Sequence, residues 1–177
     1  MANYKHMIPK VLKWEGGWSD DPADSGGATM KGVTLATFRR YYGLNKTKSD
    51  LKKITNAQWE HIFKVGYWDR VKADDIRNQS LAELCVQTVW GSGPGWIRNI
   101  QRAIEVKDDG IVGPKTLAAL NANPSRNFHK IWEARRVFFF NLCYHPDADA
   151  PNGVRPTKNA KFYKGWINRL NDYKYSE

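Results

Sequence analysis

One carboxylate near the start of the chain is notable because it ends an otherwise apolar helical stripe. Four residues spaced i, i+3, i+4 and i+7 fall on one helix face: Ile8, Val11, Leu12 and Glu15. A carboxyl group on such a face is partly desolvated, and desolvation raises the pKa of an acid. Because a general acid needs a raised pKa at neutral pH, Glu15 is a candidate for proton transfer. For a lone Glu a solvated position at a helix end would be the better interpretation, and it is the sequence immediately after Glu15 that favours the catalytic one.

The residues after Glu15 are rich in glycine and aspartate, which is typical of turns and irregular loops. Gly16-Gly17 is expected to end the first helix, and Gly26-Gly27 predicts a hairpin or irregular loop over residues 18–33. A turn there would fold Asp24 back over the helix end, so Asp24 is the candidate second catalytic carboxylate. The alternative for Asp24 is a structural role, since Asp commonly bonds its own turn backbone.

Aromatic residues are the candidates for substrate contact, because eight Trp and eight Tyr are many for 177 residues. Flat rings stack on sugars and bases, so Trp18, Trp68 and Trp90 are candidate sugar platforms, with core packing as the ordinary alternative for each. Thr29 would hold a water molecule or a sugar hydroxyl, with cross-strand packing as an equal alternative.

The elements expected to position these residues are almost all helical. Helices are expected over about 4–14, 34–43, 97–104, 125–144 and 162–170, with shorter ones after 55 and 114. Thr55-x-x-Gln58 and Ser80-x-x-Glu83 are capping-box patterns, and the second opens a buried central helix that Gly91–Gly95 should break. Residues 145–159 predict a polar loop. The fold class is therefore mainly α, with a small β-hairpin or irregular loop near residues 18–33.

The net charge of +10 predicts a polyanionic partner, such as nucleic acid, anionic lipid or cell wall. No stretch reaches the length of a membrane span, and the first residues lack the apolar run of a signal peptide. Cys85 and Cys143 are expected to be buried thiols. The four His residues lack metal-ligand spacing, and the chain has no phosphate-binding Gly-Lys-Ser/Thr motif, so neither a metal nor a cofactor is expected.

The motif that begins at Glu15 resembles a known enzyme family. It reads Glu15-Gly16-Gly17-aromatic, then Asp21-Pro22-x-Asp24-x-Gly26-Gly27-x-Thr29-x-x-Gly32-Val33-Thr34. This pattern is similar to the N-acetylmuramidases of glycoside hydrolase family 108, in the lysozyme superfamily. The resemblance implies a lysozyme-like helical bundle and a catalytic glutamate at Glu15.

The second half of the chain resembles the predicted peptidoglycan-binding half of such proteins, through Val106–Leu117 and Phe162-x-x-Gly165-Trp166-x-Asn168-Arg169. The resemblance implies a catalytic region at 1–95 and a binding region at 96–177, packed as one compact body. Gln87 and Gly91 depart from it, because relatives often carry Asp and Asn at these positions.

The predicted function is hydrolysis of the β-1,4 bond between N-acetylmuramic acid and N-acetylglucosamine in peptidoglycan glycan strands, by a monomer. A lytic transglycosylase on the same substrate is the near alternative. A non-catalytic wall binder or a basic nucleic-acid-binding protein is less favoured, since no recognition-helix pattern is present. Neither a nucleic-acid partner nor membrane insertion is expected. Without a signal peptide, the protein would be made in the cytoplasm and reach the wall, in the periplasm or outside, by holin-type or other non-classical export.

Overall fold

The structure of the chain, a computed structural model, describes residues 1–20 and 27–177. The described residues form two compact units. The amino-terminal unit is Asn3–Arg70, and the carboxy-terminal unit is Val71–Glu177 together with Met1–Ala2. The predicted functional regions, 1–95 and 96–177, were divided by sequence motif rather than by compactness, and that division stays a prediction.

The amino-terminal unit contains four helices and a small sheet among its described residues. The helices are α1 (Tyr4–Trp14), α2 (Leu35–Tyr42), α3 (Lys48–Lys52) and α4 (Asn56–Phe63), and a π-helical turn over Lys64–Trp68 follows α4. The strands are β1 (Trp18–Ser19), β2 (Thr29–Met30) and β3 (Val33–Thr34), paired antiparallel in that order. The predicted hairpin near residues 18–33 is confirmed as this sheet, in which Thr29 pairs with Ser19 and Thr34.

Side-chain caps fix the starts of these helices as the sequence predicts. Thr34 Oγ1 accepts a hydrogen bond from the Thr37 backbone N–H at 3.1 Å and caps α2. Thr55 and Gln58 exchange both bonds of a capping box at the start of α4. The predicted ends of α1 and α2 are confirmed as well.

The carboxy-terminal unit is built from longer helices. They are α5 (Gln79–Ser92), α6 (Ile97–Ala103), α7 (Pro114–Ala122), α8 (Pro124–Cys143) and α9 (Tyr163–Asn171). Every residue from Ser80 to Val89 is buried, which confirms α5 as the predicted central helix. Cys85 and Cys143 are buried and free, and burial raises the pKa of the Cys85 thiol to about 12, so this thiol stays protonated.

Two local predictions in this unit are wrong. Asn78 caps α5 in place of Ser80, because the Asn78 side chain accepts bonds from the Leu81 N–H and the Ser80 hydroxyl at 2.9 and 2.8 Å. Within the predicted polar loop, β4 (Tyr144–Pro146) and β5 (Val154–Pro156) form an antiparallel hairpin. The predicted break of α5 within Gly91–Gly95 is confirmed, because the helix ends at Ser92 and its cap residue Gly93 has a φ of +80°, which an L-residue rarely adopts.

The described helices include none that is both long and apolar enough to cross a membrane. Together with the small antiparallel sheets, they make the fold mainly α, as predicted.

Candidate active site

Glu15 lies immediately after α1 as its C-terminal cap residue. Its backbone N–H donates to Val11 O at 3.2 Å, while its φ and ψ of −86° and 128° turn the chain out of the helix. Met7 and Val11 are buried, and Glu15, four residues beyond Val11, is half-buried on the same row. Leu12 is 36% exposed, so the apolar face is narrower than the predicted stripe. The carboxyl group thus combines a partly buried position with access to solvent.

The two glycines after Glu15 follow the end of α1 without adopting a left-handed backbone. Neither has a positive φ, and both are exposed. A Cβ on Gly16 or Gly17 would meet no described heavy atom within 4 Å. Among the described residues nearby, positive φ values belong to Gly27, Lys31 and Gly32, at +64°, +48° and +78°. The described residues therefore give no packing reason for glycine beside Glu15 and leave the space around Gly16 and Gly17 open.

Tyr67 is the neighbour of Glu15 that the sequence did not reveal. Burial raises the pKa of Tyr67, the nearby Tyr41 raises it further, and the negative charge of Glu15 adds to the effect. The Thr37 side chain hydrogen-bonds the Tyr67 hydroxyl and partly offsets this rise. Tyr67 therefore keeps its proton at neutral pH and remains a hydrogen-bond donor close to a carboxylate.

A short π-helical turn, Lys64–Trp68, presents Tyr67. Such turns are rare and occur often at functional sites. Close packing holds the turn in place, since a Cβ on Gly66 would lie 2.7 Å from the Tyr41 hydroxyl. Thr37 is also held, because Thr34 Oγ1 donates to Thr37 Oγ1 at 3.0 Å. The tyrosine is thus positioned by backbone geometry and by a chain of hydroxyl groups.

The prediction that Trp68 is a sugar platform is wrong, because this side chain is buried. Trp68 has no exposed surface and packs edge-on against Tyr4, with ring centroids 6.3 Å apart. The turn places Trp68 in the core and its neighbour Tyr67 near Glu15. Core packing, the ordinary alternative for any Trp, applies here.

The other predicted substrate contacts are half-buried and keep some exposed surface. Thr29 Oγ1 donates to Gly27 O at 3.1 Å, which leaves its lone pairs for a second partner. The Lys52 ammonium lies 4.5 Å from the centroid of the Trp18 ring. Trp90 lies on α5 in the carboxy-terminal unit. Their roles in binding stay predictions.

The second catalytic carboxylate stays a prediction, because Asp24 lies outside the described residues. Three described carboxylates of the amino-terminal unit have partners of their own: Asp20 with Lys48, Asp50 with Thr47, and Asp69 with Lys64. The Lys48 ammonium is 2.9 Å from Asp20 Oδ1. These pairings favour structural roles for the three side chains.

Comparison with known protein families identifies the two halves of the chain. Residues 8–93 match the family model described as Glycosyl hydrolase 108. Residues 8–93 belong to this family. Residues 94–171 match the model described as Predicted Peptidoglycan domain. The protein is therefore a glycoside hydrolase that acts on peptidoglycan, with its catalytic family region first and its peptidoglycan domain second.

A solved structure supports the same assignment over nearly the whole chain. The structure titled "Structure of Brucella abortus SagA" is 28% identical in sequence, with a TM-score of 0.77. The match covers 96% of this chain and 90% of that one. No curated protein matches the sequence.

Gln87 and Gly91, where the sequence departs from the resembled family, both lie on α5 in the carboxy-terminal unit. Gln87 is 3% exposed, and its Oε1 has no hydrogen-bond partner among the described residues. A Cβ on Gly91 would lie 2.9 Å from Nη2 of Arg135. Both departures therefore border the buried guanidinium of Arg135.

The described residues give no evidence for a metal centre. Residues 1–20 and 27–177 contain no group of three or more His, Cys, Asp or Glu side chains that could hold a metal ion.

Proposed function

We propose that the protein is an N-acetylmuramidase that cleaves the β-1,4 bond between N-acetylmuramic acid and N-acetylglucosamine, with Glu15 as general acid. The observation that carries the proposal is the setting of Glu15. This carboxyl is half-buried at a helix end, beside two exposed glycines and close to a protonated tyrosine. A proton donor for a polymeric substrate needs this access, since the glycosidic oxygen must come within hydrogen-bond distance.

The proposed reaction begins with proton transfer from the Glu15 carboxyl to the glycosidic oxygen. The bond between that oxygen and C1 of N-acetylmuramic acid breaks, and positive charge develops at C1. Asp24 is proposed as the second carboxylate, which stabilises that charge or takes part in forming the new bond. Water supplies the hydroxyl group that ends at C1, and its remaining proton returns to Glu15.

Tyr67 is proposed as a positioning residue for Glu15. Its hydroxyl is kept protonated by burial, and we propose that it donates a hydrogen bond that orients the carboxyl group. The Thr37 side chain fixes the tyrosine in turn.

Thr29, Trp18 and Trp90 are proposed to contact the glycan strand. The net charge of +10 supports attraction to an anionic wall. The site of action is proposed to be the wall itself, in the periplasm or outside, after non-classical export of a monomer. Binding of nucleic acid is not part of the proposed activity.

The test is Glu15→Gln, assayed as clearing of purified sacculi. Glu60→Gln is the matched control, because it makes the same change at a half-buried glutamate of the same unit. Loss of a general acid lowers the rate about 10²–10⁴-fold, while the control keeps its rate. A Glu15→Gln enzyme that clears sacculi at the original rate would contradict the proposal.

A lytic transglycosylase is the second candidate. Asp20, Asp50 and Asp69 already have partners, so a hydrolase would need Asp24 as its second carboxylate. A transglycosylase uses one glutamate and ends in an anhydro sugar, so its product lacks one water. Mass spectrometry of the products separates the two reactions, and Asp24→Asn should slow only the hydrolase.

A further inference from the structure

A small pocket lined by polar and aromatic side chains lies in the carboxy-terminal unit. Its volume is about 160 Å³, and it is formed by α5, α8 and α9. Six of its lining residues carry the argument: Gln87, Gly91, Ser92, Arg135, Trp166 and Arg169. Leu142 also lines it and is 37% exposed, so the pocket reaches the protein surface.

Arg135 is the buried cation of this pocket, with only 1% of its surface exposed. Its guanidinium carbon lies 4.3 Å from the ring centroid of Phe139, 4.7 Å from that of Trp96 and 5.2 Å from that of Phe138. Aromatic faces attract a guanidinium, but they provide no counter-charge. The rings therefore hold the charge in place without neutralising it.

The hydrogen bonds of Arg135 are incomplete. Nη1 donates to the Ser92 hydroxyl at 2.8 Å, whereas Nε has no partner among the described residues. In residues 1–20 and 27–177, no carboxylate forms an ion pair with Arg135. Buried charges are normally paired, so a guanidinium at this depth needs a partner that residues 1–20 and 27–177 do not supply.

A second positive charge strengthens this requirement. Arg169 lines the same pocket. Burial, followed by the charge of Arg169, lowers the pKa of Arg135 to about 9, so the guanidinium is still charged at neutral pH. The buried positive charge of Arg135 attracts an anion to this pocket.

We infer that this pocket binds the free carboxylate of a peptide, and that the source is the peptide carried by peptidoglycan. Ser92 occupies Nη1 and Nε is buried, so Nη2 is the guanidinium nitrogen left to donate to an incoming carboxylate. Gly91 makes room for Nη2, since a side chain there would meet this atom at 2.9 Å. The choice of peptidoglycan as the source rests on the proposed function.

The size of the pocket and its mouth fit the end of a peptide. A cavity of about 150 Å³ holds a molecule of roughly six heavy atoms, which is the size of a terminal alanine. Phe162 is 46% exposed and stacks on Trp166, with ring centroids 5.8 Å apart. The Lys161 ammonium lies 4.9 Å from the Phe162 ring. These aromatic and cationic groups give a short acidic peptide a surface beyond the pocket.

The probe is acetyl-D-alanyl-D-alanine, titrated calorimetrically into the full chain carrying Glu15→Gln. We expect saturable binding, and at least tenfold weaker binding of the same peptide with an amide at its carboxyl end. Inorganic phosphate and N-acetylmuramic acid test the other sources of an anion. Tighter binding of either than of the dipeptide overturns the peptide assignment, and no binding of any probe overturns the site.

Two variants of the pocket test the role of Arg135. Arg135→Met removes the charge but keeps an apolar side chain of similar length among the rings. Gln87→Glu keeps Arg135 and provides a carboxylate inside the pocket. Both should weaken dipeptide binding at least tenfold, whereas Arg136→Met, the same change one residue along α8, should not. Retained binding in a folded Arg135→Met or Gln87→Glu protein, as judged by thermal unfolding, overturns the inference.

This outcome is separable from that of the proposed function. Dipeptide binding is measured without turnover, so it does not require Glu15 to be the acid. Loss of clearing in Glu15→Gln together with no dipeptide binding would contradict only the pocket. Full clearing by Glu15→Gln together with dipeptide binding would contradict only the proposed acid.

Discussion

The two compact units differ in how far their key charged residue is exposed. Glu15 lies at the end of a helix, half-buried, with exposed glycines after it. Arg135 lies in the middle of a 20-residue helix, with aromatic rings around it and 1% of its surface exposed. An acid that gives its proton to a polymer must stay accessible, whereas a cation that binds one carboxylate binds it more strongly when water is excluded.

The backbone near Glu15 is irregular, whereas the backbone around Arg135 is regular helix. The residues around Glu15 are two-residue strands, a loop and a π-helical turn, which let the chain change direction over a few residues. Arg135 is held by the packing of α8 with α5 and α9, which are regular helices. Access is thus provided by irregular structure, and burial by long helices that cover each other.

The largest effect should come from Glu15→Gln, which tests whether accessibility serves catalysis. Its clearing rate should fall about 10²–10⁴-fold, equal to roughly 3–5 kcal/mol of activation free energy. Because the side chain keeps its shape, the melting temperature should stay close to that of the original protein. A large fall in melting temperature would show that Glu15 stabilises the fold, and the contrast between an accessible Glu15 and a buried Arg135 would not hold.

The next effect is on stability and concerns the turn that holds Tyr67. Gly66→Ala places a Cβ 2.7 Å from the Tyr41 hydroxyl, and such overpacking costs about 1–3 kcal/mol. The matched control is Gly165→Ala in α9, where a Cβ meets no described atom within 4 Å. This control should gain up to about 1 kcal/mol from helix propensity. Denaturant unfolding measures both, and equal effects would contradict close packing at Gly66.

A smaller effect is expected from Gly16→Ala, which tests the open space beside Glu15. The described fold provides room for the methyl group, so unfolding free energy should stay the same or rise by about 0.4–1 kcal/mol. Clearing of sacculi should nevertheless fall about tenfold, or about 1.4 kcal/mol, because the methyl group occupies space needed by the glycan. Clearing at the original rate would show that the glycine does not serve substrate access.

The smallest effects compare one helix cap from each unit. Asn78→Ala removes the acceptor for the Leu81 N–H, and Thr55→Ala removes the acceptor for the Gln58 N–H. Each should cost about 1 kcal/mol of unfolding free energy and leave the clearing rate unchanged. An Asn78→Ala protein that unfolds with the original free energy would contradict the observed cap.

Sequence patterns predicted the features that depend on neighbours along the chain. Apolar residues at helical spacing predicted α1, α5 and α8, and Thr34 and Thr55 marked two helix starts. The motif from Glu15 onward predicted the family that matches residues 8–93. Even the wrong cap at Ser80 was only two residues from Asn78, because several polar residues near a helix start can act as acceptors.

The remaining features were decided only by the tertiary structure, because they depend on residues far apart in sequence. Tyr67 and Glu15 are separated by 52 positions, and no local pattern distinguishes Tyr67 from the buried Trp68 beside it. Arg135 lies at helical spacing between the buried residues Ile131 and Phe139 of α8. Only the tertiary structure shows that its described partners are rings and a hydroxyl rather than a carboxylate. Local spacing fixes which face a residue occupies, whereas its charge partners are set by the elements that fold against that face.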